Sequence, residues 1–200
     1  MNEETARKML LSACNMLYER KLTISAGGNM SVRLEDSILI TPSGRNKGLL
    51  RAADMVKVSM DGDVIGSGKP SIETLMHLAL YNANPRTNAI VHCHPLYCTV
   101  LAVKGEKVKS DLTPEGVLLL GDVPMVGYFT PGSKELVDAI ASNASSMAMI
   151  MERHGAITQG TTLEEAYNRM EELEFQANLQ ILAGNAKGLP RSEIDKILGI

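Results

Sequence analysis

The feature that most limits what this chain can fold into is the irregular alternation of helix-period and strand-period segments along its whole length. From Glu3 to Arg20, apolar residues at Met9, Leu10, Ala13, Met16 and Leu17 mark one buried stripe of a helix. A small, Gly-rich stretch from Ser25 then runs into alternating residues at Met30 to Arg33, and Ser37 to Thr41 reads as a second strand stopped by Pro42-Ser43-Gly44. Val56 to Met60 and Val64-Ile65 flank Asp61-Gly62, a hairpin signal. An apolar-periodic helix follows Lys69-Pro70-Ser71 and ends near Asn84-Pro85, and Ala89 to His94 is a strand closed by Pro95. A helix is expected from Leu96 to Val103, whereas residues 108–130 read as loop plus strand. Ser133 to Ala144 is helical, and strands are expected at Ala148 to Glu152 and Ala156 to Thr158. Thr162-Leu163-Glu164-Glu165 is a capping box opening a long helix to about Ala183, and a short helix follows Pro190. No repeat, low-complexity segment or linker interrupts this order, so the expectation is one mixed α and β domain over residues 1–200.

Composition narrows the function classes. Lys plus Arg is 20 against 23 Asp plus Glu, a net charge of −3, with no basic run, so neither nucleic acid nor an anionic membrane is an expected partner. No run of about 18 uncharged apolar residues is present to cross a membrane, and Met1 to Glu4 carries no signal-peptide character. Three cysteines, Cys14, Cys93 and Cys98, are an odd number without CxxC spacing, which points to a reducing cytosol rather than a disulfide framework. With no Trp, two Phe and 12 Met, the core must be aliphatic and methionine-rich.

His92 and His94 lie two apart in an expected strand, so both imidazoles project from one face and Cys93 from the other. That suits two nitrogen ligands on one Zn²⁺ or similar divalent ion, although two surface histidines would share the pattern. A third histidine sits at a strand turn in Arg153-His154-Gly155. Three histidines plus an open position is the arrangement of a catalytic zinc, one per chain. His77 stands four residues after Glu73 on one helix face and reads as a packed histidine beneath the site rather than a ligand. Gly27-Gly28-Asn29, Thr41-Pro42-Ser43-Gly44 and Lys69-Pro70-Ser71 have the makings of an anion site, with backbone N–H groups, hydroxyls and a helix start. Each taken singly is ordinary turn chemistry.

Jointly, Ser25-Ala26-Gly27-Gly28-Asn29-Met30-Ser31, Ile40 to Gly44, Lys69-Pro70-Ser71-Ile72-Glu73, Ile90 to Pro95 and Arg153-His154-Gly155 resemble the class II aldolase/adducin superfamily, and within it the L-fuculose-phosphate aldolase group. The resemblance covers nearly the whole chain. It implies a three-layer α/β/α fold around a mainly antiparallel sheet, assembled as a homotetramer with active sites between subunits. It implies that His92, His94 and His154 bind zinc and that Glu73 is the catalytic acid/base. By the same carry-over, Gly28, Asn29, Ser43, Gly44 and Ser71 hold the phosphate of a sugar-phosphate substrate. The implied reaction is reversible cleavage of a ketose 1-phosphate to dihydroxyacetone phosphate and a short aldehyde through an enediolate, with Glu73 exchanging the carbon-bound proton.

Two positions depart from the pattern. Ile72 stands where the family usually has a second serine. Thr113 stands where the fuculose-phosphate aldolases place a tyrosine from a neighbouring subunit to protonate the developing alkoxide, and Tyr128 and Glu115 are the substitutes in view. A pentulose-phosphate 4-epimerase would want an aspartate in the 113–120 region and a tyrosine near the C-terminus. A methylthioribulose-phosphate dehydratase could use Glu115 as an additional acid/base. A non-catalytic adducin-like module would not need the three histidines and Glu73 that this chain keeps.

Overall fold

The computed structural model describes residues 2–200. The elements in chain order are α1 (Glu3–Glu19), β1 (Asn29–Arg33), β2 (Ser37–Ile40), β3 (Val56–Ser59), β4 (Val64–Ile65), α2 (Thr74–Ala83), β5 (Ala89–Cys93), α3 (Leu96–Lys104), α4 (Pro114–Leu120), β6 (Met125–Val126), α5 (Lys134–Ala141), β7 (Ala148–Met151), β8 (Gly155–Gly160), α6 (Leu163–Ala183) and α7 (Arg191–Leu198). The strands form one sheet in the order β4-β3-β2-β1-β5-β8-β7-β6. Neighbours pair antiparallel except β6 with β7, which are parallel.

Helices cover both faces of the sheet, as a three-layer α/β/α fold requires. On one face α1, α3, α4 and α6 contribute Leu10, Leu17, Leu101, Leu120, Met170 and Leu173 against Met30, Leu39, Val91 and Ile150. On the other, α2 and α5 lie side by side and bring Met76, Leu80, Leu136 and Ile140 against Ile38, Val58, Ile90 and Ile157. Because β5 lies at the centre of the sheet, all five of its residues are buried. Val91 and Cys93 enter the first core, while Ile90 enters the second, on the face that also takes His92. Each fully buried aliphatic side chain contributes about 1.5–3 kcal/mol, so these two cores outweigh the short hairpins in holding the sheet.

Local chemistry accounts for most element ends. Asn2 caps α1 by accepting from Thr5 N–H at 2.8 Å. Gly62, at φ +98°, turns β3 into β4 at the expected Asp-Gly. Thr162 caps α6 by accepting from the Glu165 N–H at 3.1 Å. The Glu165 carboxylate reaches back to Thr161 N–H at 2.7 Å, one residue before the position a capping box would use.

Two expectations need correction. Residues 108–130 contain the helix α4, not only loop and strand. Its seven residues are too few to display a period, but Thr113 caps it from Gly116 N–H and Pro114 occupies the first turn, where its missing N–H costs nothing. The strand around the histidines ends at Cys93, so His94 lies just past it.

Candidate metal centre

The centre of the sheet aims three histidines at one point. β5 pairs antiparallel with β8, with Cys93 opposite Ala156, and the β7–β8 turn therefore lies beside the end of β5. Arg153 takes φ +54° in that turn, and its N–H donates to Ala102 O of α3 at 3.1 Å, which fixes the turn beneath His154. A Cβ on Gly155 would lie 2.5 Å from Cys93 O and 2.6 Å from the His94 ring, so only glycine lets the two histidine-bearing segments close up. The ring centroids of His92, His94 and His154 are 4.9 Å, 4.9 Å and 5.2 Å apart. One ligand nitrogen from each lies within 4.8 Å of the others.

These nitrogens fit a divalent ion. The His92 Nδ1–H donates to Ala156 O at 2.8 Å, which leaves the Nε2 lone pair facing the cluster. His92 Nε2 and His94 Nε2 are 3.2 Å apart, close to the edge of about 3.3 Å expected between nitrogens that each lie about 2.05 Å from one tetrahedral zinc. Burial, reinforced by the charge of His92, holds His94 at a pKa of about 3 and His154 at about 4, so both are neutral and available as ligands near pH 7. His92 answers in the opposite sense: burial lowers its pKa, but the charge and hydrogen bond of Glu73 raise it overall. A bound cation would take the place of that proton.

Glu73 closes the cluster from the side of α2. It occupies the residue before that helix, where its own side chain makes no capping bond. The Ser71 hydroxyl takes its N–H instead, and the carboxylate turns inward, 6% exposed. Oε2 lies 3.3 Å from His92 Nε2 and Oε1 3.4 Å from His154 Nε2. Asn29, directly opposite His92 in the sheet, donates its amide N–H to Oε2 at 2.7 Å. Oε1 is buried with no hydrogen-bond partner. Burial alone would raise the Glu73 pKa, yet the charges of His92 and His154 and the two hydrogen bonds hold it well below the usual carboxylate range.

The small-residue loops form the rim. Thr41 O accepts from Ser71 N–H, Lys69 O accepts from Ser43 N–H, and Pro42 bridges to Pro70, which joins two of the three loops. Thr41 Oγ1 also accepts from Met30 N–H at 3.2 Å, tying them to β1. Gly28 has φ +68°, and a Cβ there would lie 2.5 Å from His92 O. Gly44 is exposed and Ser43 half-buried, while Ser71 is buried. Asn29 is buried too, its carbonyl and one amide hydrogen already engaged by His77 and Glu73, so only its second amide hydrogen remains for a phosphate. His77 lies outside the metal group and against Asn29. Ile72 is 63% exposed. Thr113 is spent on structure: its hydroxyl caps α4 and accepts from Gln176 at 2.7 Å. Tyr128 is exposed, and its N–H donates to Glu152, two residues before His154.

Two supports were not read from the sequence. Lys47 is fully buried and donates to Ala26 O and Arg45 O at 3.0 Å each, pinning the Gly-rich loop to the next one. The Glu174 carboxylate accepts from Tyr97 and Cys98 N–H at 2.9 Å each, so α6 caps α3 just after His94-Pro95. A lone Lys in a turn and a Glu inside a helix carry no local signal of such partners, and burial alone identifies them.

The profile of the Class II Aldolase and Adducin N-terminal domain matches residues 8–181. An L-fuculose phosphate aldolase from Methanococcus vannielii is 37% identical over 172 residues, covering 86% of this chain and 93% of that protein. A 3-oxo-tetronate 4-phosphate decarboxylase from Escherichia coli K12 is 35% identical over 189 residues, covering 92% and 89%. Among solved structures, E. coli YgbL superposes with a TM-score of 0.93 at 34% identity over 98% of both chains. An L-fuculose 1-phosphate aldolase superposes with a TM-score of 0.91 at 31% identity, over 98% of this chain and 95% of that one.

Proposed function

The chain belongs to the class II aldolase and adducin family, and from that premise we propose that it is a metal-dependent lyase that breaks the bond between the α and β carbons of a sugar-phosphate ketone. The first substrate class is a ketose 1-phosphate, cleaved reversibly to dihydroxyacetone phosphate and a short aldehyde. One observation carries this reading: a buried carboxylate with an unpartnered oxygen lies against three convergent histidines. His92, His94 and His154 would hold the ion, zinc by the chemistry of the donor set, and the ion would supply Lewis-acid stabilisation of the developing enediolate. Glu73 moves the proton. Asn29 occupies Oε2, so Oε1 is the atom that removes the carbon-bound proton from dihydroxyacetone phosphate in synthesis and returns it in cleavage. Gly28, Asn29, Ser43, Gly44 and Ser71 would receive the phosphate at the rim, with backbone N–H groups and hydroxyls as donors. The family resemblance supports a homotetramer with its sites between subunits, working in the cytoplasm.

Thr113 favours a second reading. Aldol cleavage must take a proton from the hydroxyl that becomes the aldehyde, and the reverse must return one. Loss of carbon dioxide from a 3-oxo acid phosphate needs no such exchange: the carbon–carbon electron pair becomes the same enediolate, and Glu73 carries a proton from water to its carbon. The Thr113 hydroxyl accepts from Gly116 and Gln176, and an aliphatic hydroxyl is a far weaker acid than the phenol it replaces, so decarboxylation of a substrate such as 3-oxo-tetronate 4-phosphate suits this chain. The test has two arms. Zinc-loaded protein should exchange deuterium from D₂O into dihydroxyacetone phosphate, which both reactions require, and absence of exchange overturns the shared enediolate chemistry. Product analysis with dihydroxyacetone phosphate plus short aldehydes, against carbon dioxide release from 3-oxo-tetronate 4-phosphate, then separates the two. Epimerised or dehydrated products would support the scaffold's other chemistries instead.

A further inference from the structure

Behind Glu73 runs a buried line of polar side chains that starts at Asn29 and continues through residues which neither the metal nor the phosphate needs. Asn29 Nδ2 is 2.7 Å from Glu73 Oε2, and Asn29 Oδ1 is 2.6 Å from His77 Nε2. His77 Nδ1 is 2.7 Å from Ser31 Oγ, which is 2.7 Å from Tyr81 Oη. Alternation along β1 puts Asn29 and Ser31 on one face, and the helical period of α2 stacks Glu73, His77 and Tyr81 one turn apart against them. Ser31 and His77 are wholly buried, Tyr81 is 1% exposed and Asn29 4%. Water therefore does not substitute for any partner in the line.

Donor and acceptor rules allow these contacts one direction while Glu73 is ionised. A carboxylate only accepts, so the Asn29 amide N–H donates to it and the Asn29 carbonyl faces His77. His77 must then donate from Nε2 and accept at Nδ1, which uses the single hydroxyl hydrogen of Ser31. Tyr81 consequently donates to Ser31. Burial, with the charge of His92, keeps the His77 pKa at about 3, so its ring is neutral and able to accept. At the far end Arg33 lies 4.9 Å over the Tyr81 ring and donates to the Tyr81 carbonyl, closing the line against the sheet.

We propose that Tyr81, Ser31 and His77 are positioning residues that act through Asn29 to hold Glu73 Oε2, so that Oε1 alone faces the reacting carbon. The proposal rests on the reading of Glu73 as the proton carrier. Its premise is that a small misplacement of a reacting group costs up to about a hundredfold in rate.

Two measurements test it. In the ¹⁵N spectrum of histidine-labelled, zinc-loaded protein, His77 should be the neutral Nε2–H tautomer near pH 7; the Nδ1–H tautomer, or a charged ring, would overturn the line. In the deuterium-exchange assay with dihydroxyacetone phosphate, His77→Phe should lower kcat by about ten- to a hundredfold, with bound zinc and KM little changed. His77→Gln restores an N–H for Asn29 and should recover kcat to within about threefold of the wild type. Equal kcat losses in the two variants at matching melting temperatures would reduce His77 to a packing residue. If His77→Phe does not fold, the tautomer and the His77→Gln rate decide the matter. A Glu73→Gln variant that exchanges normally would instead overturn the reading of Glu73, leaving the tautomer to judge the line on its own.

Discussion

At the residue scale the proposed ligands and the proposed proton carrier differ in what their atoms lack. The three histidines bring one nitrogen each to a common point, whereas Glu73 offers a buried oxygen without a hydrogen-bond partner. Removing one class should therefore leave the other intact. His92→Ala takes away the ligand held from behind by Ala156 and should lose the metal along with activity. Glu73→Gln keeps the shape and should retain stoichiometric zinc while kcat falls by roughly 10²–10⁴, the usual worth of a general base. Metal analysis of both purified variants beside their kcat values checks the division; stoichiometric zinc in His92→Ala would break it.

At the element scale the site depends on how α3 is started. That helix begins directly after His94-Pro95, and Pro95 brings no side chain that can cap it. Glu174 supplies the missing acceptor from α6, taking two N–H groups of the first turn, where the helix dipole also favours negative charge. Glu174→Ala should cost about 1–2 kcal/mol, or roughly 2–8 °C in melting temperature for a chain of this size. Glu174→Gln, which still accepts one hydrogen bond, should lose less. Thermal melting of the zinc-loaded proteins distinguishes the three, and an unchanged Glu174→Ala would make the contact incidental. The same scale explains why α4 escaped sequence reading: a seven-residue helix containing Gly116 is held by its cap and by α6, not by an amphipathic stripe.

For the whole molecule, burying four histidines near one carboxylate links stability to pH. His77 and His94 are held at about 3 and His154 at about 4, chiefly by burial and then by the charge of His92. In the unfolded chain each binds its proton near pH 6.5. Between about pH 6.5 and 4 the unfolded state thus carries more protons than the folded one, and stability rises with pH. His92, raised by Glu73, keeps its proton in the folded state and opposes this trend above about pH 6.5, so the metal-free protein should melt at steadily lower temperature as pH falls from about 6.5 to 5. Glu73, held low, adds a further loss only below its unfolded value near 4.5. His77→Gln should flatten the slope, because it removes one of the three groups. A melting temperature independent of pH across that range would contradict the burial of these rings. Bound zinc should postpone the loss until protons displace it from the histidines.

The sequence alone determined the order of helices and strands and the pairing of His92 with His94 on one strand face, because periods of 3.6 and 2 are properties of the chain itself, whereas the three-layer arrangement and the place of His154 in the set were legible through family resemblance. Glu73 was visible through family resemblance, and its neighbour His77 through helical spacing. Only the tertiary structure decided that Asn29 serves Glu73, that Ser31 and Tyr81 stand behind His77, and that Lys47 and Glu174 brace the loops and α3. Most of those contacts join residues 21 to 77 positions apart. A polar side chain shows no local trace of whether its partner will be water or a distant buried group, and the closing of the two cores removes the water.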